Sequence, residues 1–214
     1  MKNIFFGALI IGSILVGCKE ENPNQSSGGA AEGIPNQPSG VVKVTTSYLN
    51  NGAKIETPIS SNNKIHGIKR AYYSNGIMQL EIPYKDGLID GVAKEYRSNG
   101  ALESETSYKD GLLNGAKKEY YNNGALRSER VYKNDKIVSL KTYWSNSSLN
   151  TKTSCSENEY VNGVFKKYNS DGSLYAEGVF VNGIGTYIEY GENGKDIERT
   201  FLDDNKLSCY GLLY

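Results

Sequence analysis

The sequence contains a single histidine, His66, so histidine-dependent triads, two-histidine metal sites and facial triads lack their parts. Its three cysteines form no CxxC pair, and no glycine-rich phosphate loop or nucleophile elbow is present. These absences predict a protein that is not an enzyme, with no catalytic residue, no cofactor and no metal. Charge of one sign is lacking too. The 24 basic residues are matched by 24 acidic ones, whereas a nucleic-acid surface needs a concentrated basic face, so no nucleic-acid partner is expected. Apolar residues make up only 38%, and the mean hydropathy is −0.53, which excludes a thick aliphatic core. The one long hydrophobic run, Ile4 to Leu15, is too short to span a bilayer as a mature helix.

What the chain has instead is 17 tyrosines and a period. The stretches GIKRAYYSNGIMQLEIPYKDGLID, GVAKEYRSNGALESETSYKDGLLN and GAKKEYYNNGALRSERVYKND follow one another from Gly67. In them Tyr72, Tyr96 and Tyr120 fall 24 residues apart, as do Gly76, Gly100 and Gly124, and Glu81, Glu105 and Glu129. A fixed period of this length marks a repeat architecture. Each unit reads as two alternating strands joined by a glycine-closed turn, with Ser-Asn-Gly, Asn-Asn-Gly and Lys-Asp-Gly supplying residues that tolerate positive φ. Tyr48 with Gly52 extends the register backward, and Tyr168 with Gly172 extends it forward. A last unit at Tyr190 and Gly194 is shortened to 22 residues. Between them the unit Ser139 to Asn162 is the most degraded. At a strict period of 24, Trp144 replaces the tyrosine, Ser148 the glycine and Thr153 the glutamate. The prediction is an all-β, elongated single-sheet solenoid of about seven consecutive antiparallel hairpins over residues 45–214. At about 4.8 Å per strand it would run on the order of 65 Å. In the strand after Gly100, Leu102, Ser104, Thr106 and Tyr108 share one face and Ala101, Glu103, Glu105 and Ser107 the other.

Stacking places Glu81, Glu105, Glu129 and Glu177 in a row about 9.6 Å apart, too far for an acid pair or a metal cluster. Each is expected to pair with a Lys or Arg on the neighbouring strand, or with turn amides. The tyrosines are expected to pack between repeats, with a stacking platform for glycans or peptides as the competing use. Trp144, in the broken unit, is the candidate binding residue. Regular stacking would hold Cys155 and Cys209 four strands apart, about 19 Å, whereas a bridge needs Cα atoms within about 7 Å. No bridge is expected unless the fourth unit is irregular or the tail after Lys206 folds back.

At the N-terminus, Lys2, the apolar run and Leu15-Val16-Gly17-Cys18 resemble a bacterial lipoprotein signal peptide with its lipobox, residues 1–17 being removed and Cys18 acylated. Two or three acyl chains would anchor the protein stably on a membrane without spanning it. The absence of Asp after the cysteine resembles outer-membrane lipoproteins, and Lys19-Glu20-Glu21 resembles a surface-export signal of the Bacteroidetes. Residues 18–44, rich in Asn, Pro, Ser and Gly, read as a lipidated cysteine and flexible tether.

The repeats are similar to those of the MORN-repeat variant family, with its G-x-x-x-x-Y-Y-x-N-G-x-L-x-x-E-x-x-Y-x-N/D-G unit. Structural positions carried over are Tyr72, Gly76, Glu81, Tyr96, Gly100, Glu105, Tyr120, Gly124, Glu129, Tyr168 and Gly172. The resemblance implies tandem hairpins and a protein-interaction or scaffold role, here with a protein partner at the bacterial cell envelope. Because family members are often filed as antitoxin components, neutralisation of a toxin is one alternative, and a glycan-binding surface module is another.

Overall fold

The computed structural model describes residues 18–19, 40–191 and 196–213. Residues 1–17, expected to be a signal peptide, and 20–39, in the expected tether, lie outside the described residues, as does Gly194. Within them sixteen strands form one sheet in which neighbours in sequence are neighbours in space. A two-residue strand β1 (Cys18–Lys19) edges β2 (Val41–Leu49), which turns into β3 (Lys54–Ser60). The next hairpins are β4 (Gly67–Tyr72) with β5 (Met78–Lys85), and, after the short β6 (Leu88–Ile89), β7 (Gly91–Tyr96) with β8 (Leu102–Lys109). They continue as β9 (Leu112–Tyr120) with β10 (Leu126–Lys133), and β11 (Lys136–Tyr143) with β12 (Leu149–Cys155). The last are β13 (Val161–Tyr168) with β14 (Leu174–Val181), and β15 (Ile184–Glu189) with β16 (Ile197–Phe201). The predicted single-sheet solenoid of antiparallel hairpins is the fold observed.

Two turn chemistries alternate along it. Within a repeat the Asn75 carboxamide oxygen accepts the Ile77 N–H while Gly76 takes φ +81°, and Asn99 with Gly100 and Asn123 with Gly124 repeat the device. Between repeats two successive residues are left-handed, Asp86 and Gly87 at 50° and 91°, then Asp110 and Gly111 at 49° and 85°. This is the type I′ pattern, whose twist matches that of the flanking strands. Gly100 takes φ +85°, and a Cβ there would meet only the Ile77 side chain at 3.8 Å, an ordinary contact, so its requirement is conformational. Gly100→Val is expected to lower stability by about 1–2 kcal/mol in chemical denaturation.

A single sheet has no second layer, so its core is patchy. On one face Ile55, Ala71, Leu80 and Ile82 form an N-terminal cluster. Towards the C-terminus lies a larger one containing Tyr132, Ile137, Leu140, Val161, Phe165, Ala176, Phe180 and Cys209. Within each hairpin an aromatic ring lies opposite a glycine, Tyr84 against Gly67, Tyr108 against Gly91, Tyr132 against Gly115 and Phe180 against Gly163. A ring covers backbone there that would otherwise be wet. Between the clusters the same face is polar. Arg130 donates to Glu119 at 2.6 Å, Ser128 donates to the same oxygen at 3.0 Å, and Lys117 stands 3.8 Å away. Burial pushes the Glu119 carboxyl up, but Arg130 and Lys117 outweigh it and hold the group below the usual range.

The hairpin β11–β12, the fourth full unit counted from Gly67, departs from strict spacing by one residue. Opposite Thr106 and Tyr108 of β8 stand Lys117 and Leu113, four apart, whereas opposite Arg130 and Tyr132 of β10 stand Leu140 and Ile137, only three apart. The missing residue removes the position that Gly115 fills in the preceding unit. The hairpin therefore arrives early. Ser147, at φ 71°, takes the turn position assigned to Ser148, and Tyr143 rather than Trp144 corresponds to Tyr120. A longer loop, closed by Ser156 N–H to Tyr160 C=O and with Glu159 at φ 65°, restores the spacing before β13.

The displacement bears directly on the cysteines. Cys155, rather than residue 156, takes the place that Tyr84, Tyr108 and Tyr132 hold one residue before the ends of the equivalent strands. The tail folds back across this gap. The Leu207 N–H donates to Gly183, the Val161 N–H to Leu207, and the Cys209 N–H to Glu159, while a short helix spans Tyr210–Leu213. Cys155 and Cys209 are thereby bridged, with Cα atoms 6.2 Å apart. The expectation of unpaired cysteines in a regular ribbon is corrected; both departures that would allow a bridge, an irregular fourth unit and a returning tail, are present.

Candidate interaction surface

The face opposite the core is organised by register. At one level across the ribbon the cross-strand neighbours run Glu56, Arg70, Glu81, Lys94, Glu105, Lys118 and Glu129, alternating in sign at every strand. Direct opposition of unlike charges is the stabilising arrangement in an antiparallel pair. Glu81 meets Arg70 at 3.4 Å, Glu105 meets Lys94 at 4.0 Å, Glu129 meets Lys141 at 3.3 Å and Glu177 meets Lys166 at 3.0 Å. The glutamate row is thus paired with cations on the adjacent strands. The repeated tyrosines serve the same row. Tyr72 donates to Glu56 at 3.0 Å, Tyr120 to Glu105 at 3.0 Å and Tyr190 to Glu177 at 3.1 Å. Hydrogen bonds from Lys166 and then Tyr190 hold the Glu177 carboxyl below its ordinary range. A hollow of about 340 Å³ opens on this face, lined by Val92, Lys94, Glu105, Ser107, Ala116 and Lys118.

A second ladder ties each repeat to the next at the turn edge. Tyr73 donates to the Tyr96 carbonyl, Arg97 to that of Tyr120, Tyr121 to that of Tyr143 and Trp144 to that of Tyr168, at 2.7 to 3.1 Å. Trp144 is therefore positioned as one of these rungs, its indole N–H occupied and about a third of its surface exposed. Asn75, Asn123 and Asn146 add a parallel set of bonds to Ser98, Ser145 and Ser170. Gly76, Gly100, Gly124 and Gly172 all hold positive φ in the turns. Tyr96 ends β7 and Tyr168 ends β13 at the equivalent place. His66 lies at the surface, 3.3 Å from Asp86, and among the described residues no group of His, Cys, Asp and Glu is arranged to hold a metal.

The alternation fails at one point. The displaced hairpin puts Lys152, not Thr153, at the level where a glutamate belongs, and Thr153 is turned to the other face and buried. Three lysines, Lys141, Lys152 and Lys166, then stand on successive strands. Lys141 and Lys166 each keep a glutamate, but Lys152 is exposed and has no ion pair among the described residues. Strict-period reading missed this residue. The signal that finds it is the absent bulge residue between Ile137 and Leu140, which shifts everything up to Cys155 by one. Beside the lysines the same face exposes Val164 and Val179, which are cross-strand partners, and Ile188 opposite Glu177.

No curated protein matches the chain in sequence. A family model described as MORN repeat variant matches residues 65–86, 89–110, 113–134 and 161–182, and the interval it skips contains the displaced hairpin. With four matched repeats, three of them consecutive and each built as one hairpin of the same sheet on a common period, the chain belongs, over those repeats, to the MORN repeat variant family.

Proposed function

We propose that the protein is a bacterial lipoprotein, anchored through acylated Cys18 in the cell envelope, whose repeat ribbon binds a protein partner without catalysing a reaction. MORN repeats make a repeat-based interaction or scaffold module. The observation that carries the reading is the uninterrupted sheet of sixteen strands, one face of which presents a continuous charged ladder rather than an enclosed pocket. Extended repeat surfaces of this kind serve contact over area. The anchor rests on the apolar run, Gly17 and Cys18, and the outer membrane on the absence of Asp at position 19.

Globomycin treatment combined with acyl labelling tests the anchor. The expected result is accumulation of the precursor, with acyl label on the untreated protein that vanishes in Cys18→Ser. Normal processing without label on Cys18 would remove the membrane assignment. Pull-down of the mature chain from envelope extract is expected to retain a polypeptide. Retention on cell-wall glycans with no polypeptide would assign the surface to carbohydrate, and a retained toxin would assign it to immunity.

A further inference from the structure

The lysine row breaks the rule by which this face is otherwise built. Neighbouring strands lie about 4.8 Å apart, so three ammonium groups at one level repel where unlike charges would attract. A glutamate at 152 would pair with both neighbouring lysines, as Glu105 stands between Lys94 and Lys118. The fold gains nothing from lysine there. A local rule broken without a compensating contact points to use by something outside the chain. The repeats also state what belongs in the gap. At the equivalent places Glu105 and Glu177 each receive the next repeat's tyrosine hydroxyl, from Tyr120 and Tyr190, and a lysine of an adjacent strand, Lys94 and Lys166. Tyr168 is the tyrosine that would donate to residue 152, and its hydroxyl has no hydrogen bond among the described residues. One carboxylate is missing while its donors are present.

We propose that Lys141, Lys152 and Lys166, with the Tyr168 hydroxyl, dock an acidic segment of a partner protein whose carboxylate takes the place of the absent glutamate. The proposal rests on the interaction reading above and names the contact. A peptide is favoured over an anionic polysaccharide by the neighbouring surface. Val164 and Val179, 54% and 63% exposed, flank the lysines together with Ile188 and call for apolar side chains next to the acids. The attraction is between surface charges, so it is screened by salt and acts on association rate and register more than on raw affinity.

The test uses a fluorescein-labelled twelve-residue peptide of alternating Glu and Leu, its Gln counterpart, and polygalacturonate as a carboxylate polymer without apolar groups. Anisotropy is read on the full chain at low and high salt. The Glu peptide is expected to bind at low salt, the Gln peptide not, and Lys152→Glu to weaken binding about tenfold or more. That substitution completes the alternation, so its melting temperature should equal or exceed that of the parent, which separates lost docking from lost folding. Equal binding by parent and variant, or no binding of the Glu peptide, overturns the proposal. Tighter, Lys152-dependent binding of polygalacturonate assigns the site to a glycan and overturns it as well. An envelope polypeptide retained equally by parent and Lys152→Glu overturns this site but leaves the interaction role standing. Absence of any retained polypeptide overturns that role.

Discussion

Reduction of the Cys155–Cys209 bridge, or the double substitution C155S/C209S, is expected to destabilise the C-terminal half of the ribbon by about 4 kcal/mol. The bridge closes a sequence separation of 54 residues. Loop closure of that length in the unfolded chain accounts for roughly 4 kcal/mol in the chain-entropy description. Loosening of the tail that the bridge pins down acts in the same direction. Leu207 and Leu212 pack on the larger cluster, Cys209 is fully buried, and Tyr210 donates to Glu159 at 2.9 Å. Burial and that carboxylate push the Tyr210 phenol above its ordinary range, which fits a hydroxyl held in a fixed, partly dry contact. Each repeat leans only on its neighbours, so the destabilisation should not spread evenly. Calorimetry with and without reductant should turn one transition into two, the hairpins from β11 onward melting first and those from β4 to β10 near their former temperature. A single transition shifted as a whole would mean that the repeats are coupled far more tightly than nearest-neighbour stacking allows.

The regular part of this architecture was legible because the chain writes it several times. Gly76, Gly100 and Gly124 recur where a turn demands positive φ, and the parity of Leu102, Thr106 and Tyr108 against Glu103 and Glu105 separates the faces. The pairing of each glutamate followed from opposition alone. What stayed hidden lies in the fourth unit, for a physical reason. One residue is dropped at a bulge before Leu140 and one is regained in the loop 156–160, so Ile137 and Val161 are still 24 apart although the hairpin between them is displaced. A period measured from unit to unit averages over the two changes. The side chain on each face, however, depends on every single residue, since a slip of one exchanges the faces of a strand. Hence Thr153 is buried where a ladder residue was expected, Lys152 stands in the ladder, and Cys155 reaches the aromatic position. The bridge was hidden as well because it depends on the returning tail, whose hydrogen bonds with Val161 and Gly183 are non-local and carry no periodic signal.

Phe180→Ala is expected to cost about 3–5 kcal/mol, the range for removing a large ring from a site that cannot collapse. Phe180 is 1% exposed and stands between Gly163 on one neighbouring strand and Gly185 on the other, so neither adjacent residue has a side chain to close the gap. Its ring meets Phe165 at 6.3 Å, Tyr187 at 6.4 Å and Phe201 at 6.0 Å, packing that holds β13, β15 and β16 against β14. Phe180→Leu, which keeps most of the volume, should cost about 1.5 kcal/mol or less. Hydrogen exchange should locate the damage in β13 to β16 while β4 to β8 keep their protection. The opposite faces of the same strands carry Val164, Lys166 and Val179, because side chains alternate along a strand. Phe180→Ala should therefore weaken acidic-peptide binding together with stability, whereas Lys152→Glu weakens binding with stability intact. A destabilised Phe180→Ala with undiminished binding would separate the lysine row from the fold beneath it and place the contact elsewhere on the ladder.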